Sequence, residues 1–529
     1  MSLTALRNFF ILATGYITLL LLFPQKLQTI ESYAYAMGIE RYYDLSQTFV
    51  QGQTAIALPD FARYHPNHPA VHWIAGKLFD CCALPGFTAL RLFNIFGALL
   101  TLWFVYQSAL LLWRRQGIAF AVASITAFSY VFWAAALSAE VHLSSVWLLS
   151  AAMFFLLRYL LAEGQNTNRT VSIAAMLFVG AMAFHLYAVF AAIPAGVALL
   201  FTGGKRYRAF ALAATIVITG FFLFYVVFLA IELRIESPRR YFDTMLMYTR
   251  LTHVRYHGAE WFGMWFKTAL QSLVYGFSPL SVAIKTIVGS TIVFSAFLFQ
   301  RSGLPRSVKI LLLGWPSVYI LLNIIFGGRA DGINGWLFSL PVLAILSGAL
   351  FVRLEGKSEW RVYLALFPLL IVVANFFSAI LPASKPENKE IIFLEAFKAD
   401  GIAGSSAVQP VLLPVVFAVA DPVLTYAEMW QIGSQLGYRQ QKLVLFCCGS
   451  ERPEEQLLQV LRENKGSMLL ISDALDTKME GLLKRSGRNA NMLREQSGEI
   501  SQVWMPSSIY FSRPADYRVL KRIRLWYVM

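Results

Sequence analysis

Three acids and three histidines early in the chain have the types and spacing to do chemistry. A largely polar stretch, KLQTIESYAYAMGIERYYDLSQ followed at some distance by FARYHPNHPAVHWIAGKLF, carries Glu31, Asp44 and Asp60. His65, His68 and His72 fall within eight positions of one another. The rest of the first 380 residues is overwhelmingly apolar. Carboxylates and imidazoles gathered between two hydrophobic segments suit proton transfer or the binding of phosphate and hydroxyl groups.

A further acid, Glu140, lies in FWAAALSAEVHLSSVW, between two apolar runs. An acid so close to hydrocarbon costs a few kcal/mol unless it faces a cavity or a partner, so a functional role is its default reading. His142, two residues on, is a candidate partner or points elsewhere on the helix. In HPNHP each proline forces an extended backbone on the histidine before it, and PAVHWIAGKLF starts a short amphipathic helix with proline in its first turn. A lone HxxH in a loop is a weak metal signal, so hydrogen bonding to a substrate phosphate or hydroxyl is preferred for His65 and His68.

A third polar region, RIESPRRYFDTMLMYTRLTHVRYHGAEW, carries Arg234, Arg239, Arg240, Arg250 and Arg255 with His253 and His257. Arginine forks bind phosphate well. Salt bridges to Glu232, Glu236, Asp243 and Glu260, or contact with anionic lipid, are the plainer reading.

The elements that must position these groups are membrane helices. The chain is 57% hydrophobic and 14% charged, and apolar runs of about twenty residues, the length that crosses a bilayer, recur along it. They fall near 7–24, 86–113, 118–137, 140–161, 170–184, 186–202, 209–232, 281–300, 309–327, 335–352 and 361–381. That predicts about 11 transmembrane helices, with 170–202 also readable as one kinked helix. The first run lacks a small-residue cleavage site and reads as a retained span.

With the N-terminus inside, the short connections at Arg114-Arg115, Arg158–Arg169, Lys205–Arg208, Arg301–Lys309 and Arg353–Arg361 are inner and basic, as the positive-inside rule requires. All seven histidines, the loops 25–85 and 233–280, and everything after about 382 then lie on or near the outer side. The net charge of +15 is no nucleic-acid signal. Residues 385–529 carry 18 Lys+Arg against 16 Asp+Glu, so most of the excess sits among the spans. The paired cysteines Cys81-Cys82 and Cys447-Cys448 lack zinc-site spacing and read as buried small hydrophobes.

From 382 to 529 the pattern changes to that of a small soluble α/β domain. VVFAVADPV, KLVLFCCGS and GSMLLISDA read as buried strands. EMWQIGSQLGY, RPEEQLLQVLRENKG and DTKMEGLLKRSG read as helices, the last two stopped by glycine. This alternation predicts a mainly parallel sheet. No glycine-rich phosphate loop follows a strand. The terminal KRIRLWYVM is an edge strand, an ordinary tail or a segment lying on anionic headgroups.

Taken in order, these motifs resemble the GT-C superfamily of integral membrane glycosyltransferases, nearest to the bacterial branch akin to protein O-mannosyltransferases. The resemblance rests on an acid after the first span, on HPNHP-AVHWIAGKLFDCCALPGFTALRLFNIFGAL, on FSYVFWAAALSAEVHLSSVWLL, and on AMAFHLYAVFAAIPAGVALLF around His185. It covers roughly residues 25–205. The branch usually places Asp-Ser-Gly-Glu after the first span, where this chain has Ile30-Glu31-Ser32, so Asp44 or Asp60 can also fill the acid's place.

The resemblance implies sugar transfer from a polyprenyl-phosphate carrier to a protein, glycan or lipid acceptor at the periplasmic face of a bacterial inner membrane. Glu31 would be the base, with Asp44 next in line, and Glu140 would orient the acceptor. His65, His68, His185, Arg239, Arg240 and Arg255 would contact phosphate or substrate. No cofactor is implied, and a divalent metal is not expected where arginines neutralise the phosphate. A secondary transporter or carrier flippase, a carrier-dependent polymerase or ligase, and a non-catalytic scaffold remain as alternatives. The one-sided placement of the acids speaks against transport at the midplane.

Overall fold

The computed structural model of the protein describes residues 3–24, 68–162, 168–202, 206–228, 268–276, 278–325, 332–355 and 361–384 of the helical part. It describes the strands and short stretches 415–419, 443–447, 466–472, 476–500 and 519–529 after it. Single residues and short pieces are described at 32, 35, 36, 39, 49–51, 54–56, 231, 455, 458, 459, 461 and 462.

Among the described residues, each apolar run overlaps helix, some in two pieces. Leu3–Leu22, Gly86–Trp113, Leu143–Leu161, Tyr207–Phe228, Pro279–Gln300 and Val362–Ile380 are each long and apolar enough to cross a membrane. Gln116–Phe128 and Tyr130–Leu137 make a seventh span if counted as one, although they meet at 60°. Helices Asn168–Phe184 and Leu340–Glu355 are shorter. The 170–202 region is two pieces: the α-helix stops at Phe184, and a 3₁₀ turn over Leu186–Ala191 leads into Ala192–Leu200.

Large apolar side chains such as Phe10, Leu21, Ile218, Phe222, Val293 and Phe377 are exposed, as lipid-facing residues are. In lipid, helix association depends on close packing and interhelical hydrogen bonds, each of the latter worth ~0.6–2 kcal/mol. Gly97 supplies the close approach between Gly86–Trp113 and Leu143–Leu161: a Cβ there would lie 3.0 Å from the Leu143 carbonyl oxygen. Ser145 Oγ donates to the Ala181 carbonyl at 2.9 Å, and Trp113 Nε1 donates to the Ile345 carbonyl at 3.2 Å. Arg115 pairs with Glu355, so the 114–115 connection and the end of helix Leu340–Glu355 share one face of the bundle.

The strands form one seven-stranded sheet, ordered β2(Thr54–Ile56), β1(Phe49–Gln51), β4(Leu443–Cys447), β3(Val415–Val419), β5(Met468–Ser472), β7(Val519–Val528), β6(Ala490–Ile500). The three expected strands are its parallel centre, with β3 between β4 and β5. The sheet is mixed rather than mainly parallel, because β7 pairs antiparallel with both β5 and β6. KRIRLWYVM is therefore an inner strand, not an edge or a surface tail. The hairpin β1–β2 comes from the polar stretch after the first helix and joins the sheet through β4, at Val50↔Phe446.

Helix Asp476–Ser486 packs Met479, Leu482 and Leu483 against Leu470 of β5 and Trp526 and Val528 of β7. It stops at Gly487, whose φ of +74° suits glycine. Cys81 and Cys82 overturn their expected burial: both are exposed free thiols at the end of helix Pro69–Cys82.

Candidate active site

Glu140 is placed by a broken helix. Ser129 takes an extended ψ of 138°, which ends Gln116–Phe128 and starts Tyr130–Leu137 at a new angle. The turn Ser138–His142 follows, at the end of this span opposite the Arg115–Glu355 contact. Asn94, fully buried on helix Gly86–Trp113, donates from Nδ2 to the carbonyls of Ser138 (2.9 Å) and Glu140 (2.6 Å). Ser138 Oγ donates to the Ala135 carbonyl at 3.0 Å. The turn's backbone is thus satisfied by side chains where no ladder can reach it.

Glu140 is only 3% exposed. Its Oε2 lies 3.3 Å from Nδ1 of His142, which is also buried. A buried carboxylate needs such a partner, because desolvation alone would favour the neutral acid. His142 is therefore the partner rather than a residue facing away.

Behind this pair the histidines form a continuous group. The His142 and His185 rings are 4.7 Å apart, His185 and His68 5.6 Å, and His68 and His72 4.8 Å, the last two pairs stacked. Tyr35 stands edge-on to both His68 and His72, at 5.0 and 5.1 Å. Phe338 closes the other side, 5.2 Å from His185. His185 Nδ1 accepts from the Tyr187 backbone N–H at 3.2 Å, so its neutral form carries the proton on Nε2.

Pro69 occupies the first turn of helix Pro69–Cys82, as HPNHP predicts, but His68 at its N-cap takes φ −147° and ψ 56°, not the extended backbone expected before proline, and its side chain makes no capping hydrogen bond. His72, one turn in, is fully buried, and burial pushes its pKa down to about 3. It is a neutral imidazole across the physiological range.

Glu140, His68 and His185 are brought into one group, and His72 and His142 join them. Glu31, Asp44, His65, Arg239, Arg240 and Arg255 lie outside the described residues. The segment after Glu31 does reach the site: Ser32 and Ala36 are buried, and Ile39 packs with Val71, Ala75, Ala139 and Val141 beside Glu140. Gly86 permits this, since a Cβ there would come within 2.8 Å of the Ala36 carbonyl oxygen.

Sequence reasoning missed Asn94, Tyr35 and Tyr130. Tyr130 is buried just after the break, and its ring is 4.5 Å from that of Tyr275. An asparagine inside a 28-residue apolar helix was the available signal for Asn94. Among the described residues no three His, Cys, Asp or Glu side chains are arranged to hold a metal ion. Chemically, the arrangement offers a carboxylate that can accept a proton and imidazoles that can donate and accept hydrogen bonds.

Comparison with solved structures finds the same fold in membrane glycosyltransferases. ArnT from Cupriavidus metallidurans matches with a TM-score of 0.57 at 12% identity, covering 98% of this chain and 96% of that one. Its undecaprenyl-phosphate-bound form matches at 0.56 and 11%, covering 100% and 98%. The Archaeoglobus fulgidus oligosaccharyltransferase tethered to an acceptor peptide matches at 0.53 and 13%, covering 91% and 71%. Neither a family model nor a curated protein sequence matches the chain. The fold is the one these solved structures share.

Proposed function

We propose that this GT-C chain moves a sugar from a polyprenyl-phosphate carrier to a protein, glycan or lipid acceptor. The observation that carries the reading is the buried Glu140–His142 pair, set in a polar histidine group within a fold shared with carrier-dependent transferases. In the proposed orientation about eleven spans place the N-terminus in the cytoplasm. The site and the α/β domain, which residues 382–529 build together with the β1–β2 hairpin, then face the periplasm of a bacterial inner membrane.

The chemistry needs two things. An acceptor hydroxyl is a weak nucleophile, so a carboxylate takes its proton as the oxygen attacks the anomeric carbon. The bond from that carbon to the phosphate oxygen breaks, and the departing lipid phosphate keeps the electron pair, stabilised by cations held nearby. A single displacement inverts the anomeric centre. Glu31 is proposed as the base and Glu140 as the acid that orients the acceptor, with Asp44 the next base to test. Arg239, Arg240 and Arg255, with His65, His68 and His185, are proposed on the phosphate and substrate side. No divalent metal is invoked where arginines neutralise the phosphate.

The test uses purified protein in nanodiscs with a panel of polyprenyl-phosphate sugars, measuring release of the free carrier phosphate. Release with at least one donor, in the presence of an acceptor, is expected. Solute or carrier movement across vesicles with no release from any donor would point to a transporter or flippase instead.

A further inference from the structure

At the end of the bundle away from Glu140, two arginines rest on lipid-facing aromatic rings. The Trp113 ring stands 5.9 Å from Phe299, so the turn after helix Pro279–Gln300 lies on the face that carries the Arg115–Glu355 pair. In that turn the Arg301 guanidinium sits 4.0 Å from the centre of the Phe297 ring. Arg306, which opens helix Arg306–Ile325, sits 4.6 Å from the centre of Phe201, at the end of helix Ala192–Leu200. Lys309 Nζ donates to the Gln300 carbonyl at 2.9 Å and Ser302 Oγ to the Phe299 carbonyl at 2.6 Å, so the turn is tied from both sides.

Both rings close exposed apolar stripes. Ile193, Val197 and Phe201 recur every four residues and are all exposed. Val293 and Phe297, exposed as well, lead to Arg301 with the same spacing. A Cβ at Gly314 would lie 3.1 Å from Pro194 Cβ, so helix Arg306–Ile325 packs directly beside Ala192–Leu200. The two stripes therefore end at one short turn. Apolar surface of this extent on membrane helices belongs in hydrocarbon.

The charge at the turn is all of one sign. Neither 192–228 nor 279–325 contains an Asp or Glu, and Glu355 is engaged by Arg115. Among the described residues the polar head of each of the two arginines meets its ring and no carboxylate. A ring attracts a cation without using up its N–H donors, and arginine offers five of them in a fork that fits phosphate. Topology asks only that a connection on this side be basic. It does not ask that each guanidinium be held on a ring at the foot of a lipid-facing stripe.

We propose that this corner binds an anionic phospholipid. Its phosphate lies among Arg301, Arg306 and Lys309, and its acyl chains follow the Ile193–Phe201 and Val293–Phe297 stripes. The site is separate from the one at Glu140. The inference needs the helices to span a bilayer, but it does not need Glu140 to do chemistry. Each cation beside an anionic headgroup favours binding about five-fold. The two arginines together favour a charged headgroup over a zwitterionic one with the same chains by about 25-fold.

The test is native mass spectrometry of the full chain in detergent, titrated with phosphatidylglycerol or with phosphatidylcholine of identical acyl chains. Wild type should bind the first about 25-fold more tightly. Arg301→Gln with Arg306→Gln should reduce phosphatidylglycerol binding to the phosphatidylcholine level. Arg114→Gln with Arg353→Gln removes the same charge from exposed positions on the same face, and should leave binding unchanged. Phe201→Leu keeps the stripe apolar, removes the ring under Arg306, and should weaken phosphatidylglycerol ~2–5-fold. Equal wild-type affinity for the two lipids, or equal loss in the two double variants, overturns the proposal, since diffuse surface charge would treat both pairs alike. Should a double variant fail to fold, unchanged phosphatidylglycerol affinity in Phe201→Leu overturns it instead.

Discussion

Replacing Asn94 by leucine tests whether the Glu140 turn is built or merely tolerated. The side chains are similar in size, so the helix Gly86–Trp113 keeps its packing. What goes is the pair of hydrogens that Nδ2 gives to the Ser138 and Glu140 carbonyls, at 2.9 and 2.6 Å. Each buried carbonyl left bare costs ~1–3 kcal/mol, so the intact turn would bear ~2–6 kcal/mol.

The turn can escape that cost only by rotating its carbonyls toward other donors, which moves Glu140 itself. A displacement of about 1 Å at an aligned group costs ~100-fold in rate. Asn94→Leu should therefore insert normally, melt earlier by tryptophan fluorescence, and release carrier phosphate ~100-fold more slowly, with little change in donor KM. Asn94→Asp should be worse, because an ionised carboxylate offers no hydrogen to either carbonyl and adds a like charge beside Glu140. Wild-type melting and turnover in Asn94→Leu would refute the reasoning.

Three further outcomes follow from the same geometry. His72 is neutral when folded, with its pKa down at about 3, whereas the unfolded chain protonates it near 6.5. Its contribution to stability is therefore lost as pH falls from about 6.5 toward 3, by ~3 kcal/mol at about pH 4.5. His72→Leu should melt less steeply with acidification than the wild type, and equal slopes would contradict this. Gly86→Ala puts a methyl 2.8 Å from the Ala36 carbonyl oxygen, which cannot swing aside as a side chain would. That should displace the segment after Glu31, cost ~1–3 kcal/mol of stability and reduce turnover, as melting and carrier-release assays would show. Arg115→Ala, by contrast, removes an ion pair whose side chains are 48% and 25% exposed. It should shift stability by less than ~1 kcal/mol and leave turnover unchanged.

Hydrophobic run length located the six helices among the described residues that are long and apolar enough to cross a membrane, because satisfying the backbone in lipid leaves a chain few other choices. It did not locate the break at Ser129. Nothing in SITAFSYVFW marks a 60° bend, where Asn375, far away in sequence, takes up the Phe128 carbonyl. Glu140 and the histidines were legible as polar groups out of place. Their order in space was not, since it depends on three separate segments meeting. The central strands were legible as continuous apolar runs, as buried parallel strands are. The strand Ala490–Ile500 reads as polar, and its pairing with Val519–Val528 is a tertiary outcome. The β1–β2 hairpin was hidden for the same reason: its partner β4 lies almost four hundred residues away.

The most direct measurement is a single-turnover comparison of wild type with Glu140→Gln in nanodiscs, loaded with a polyprenyl-phosphate sugar that the wild type consumes. Glutamine keeps the size of the side chain but carries no charge and replaces one acceptor oxygen by a donor, so it cannot orient an acceptor hydroxyl as the carboxylate does. The account predicts normal donor binding and a loss of carrier-phosphate release of ~100-fold or more. Release at the wild-type rate would contradict it.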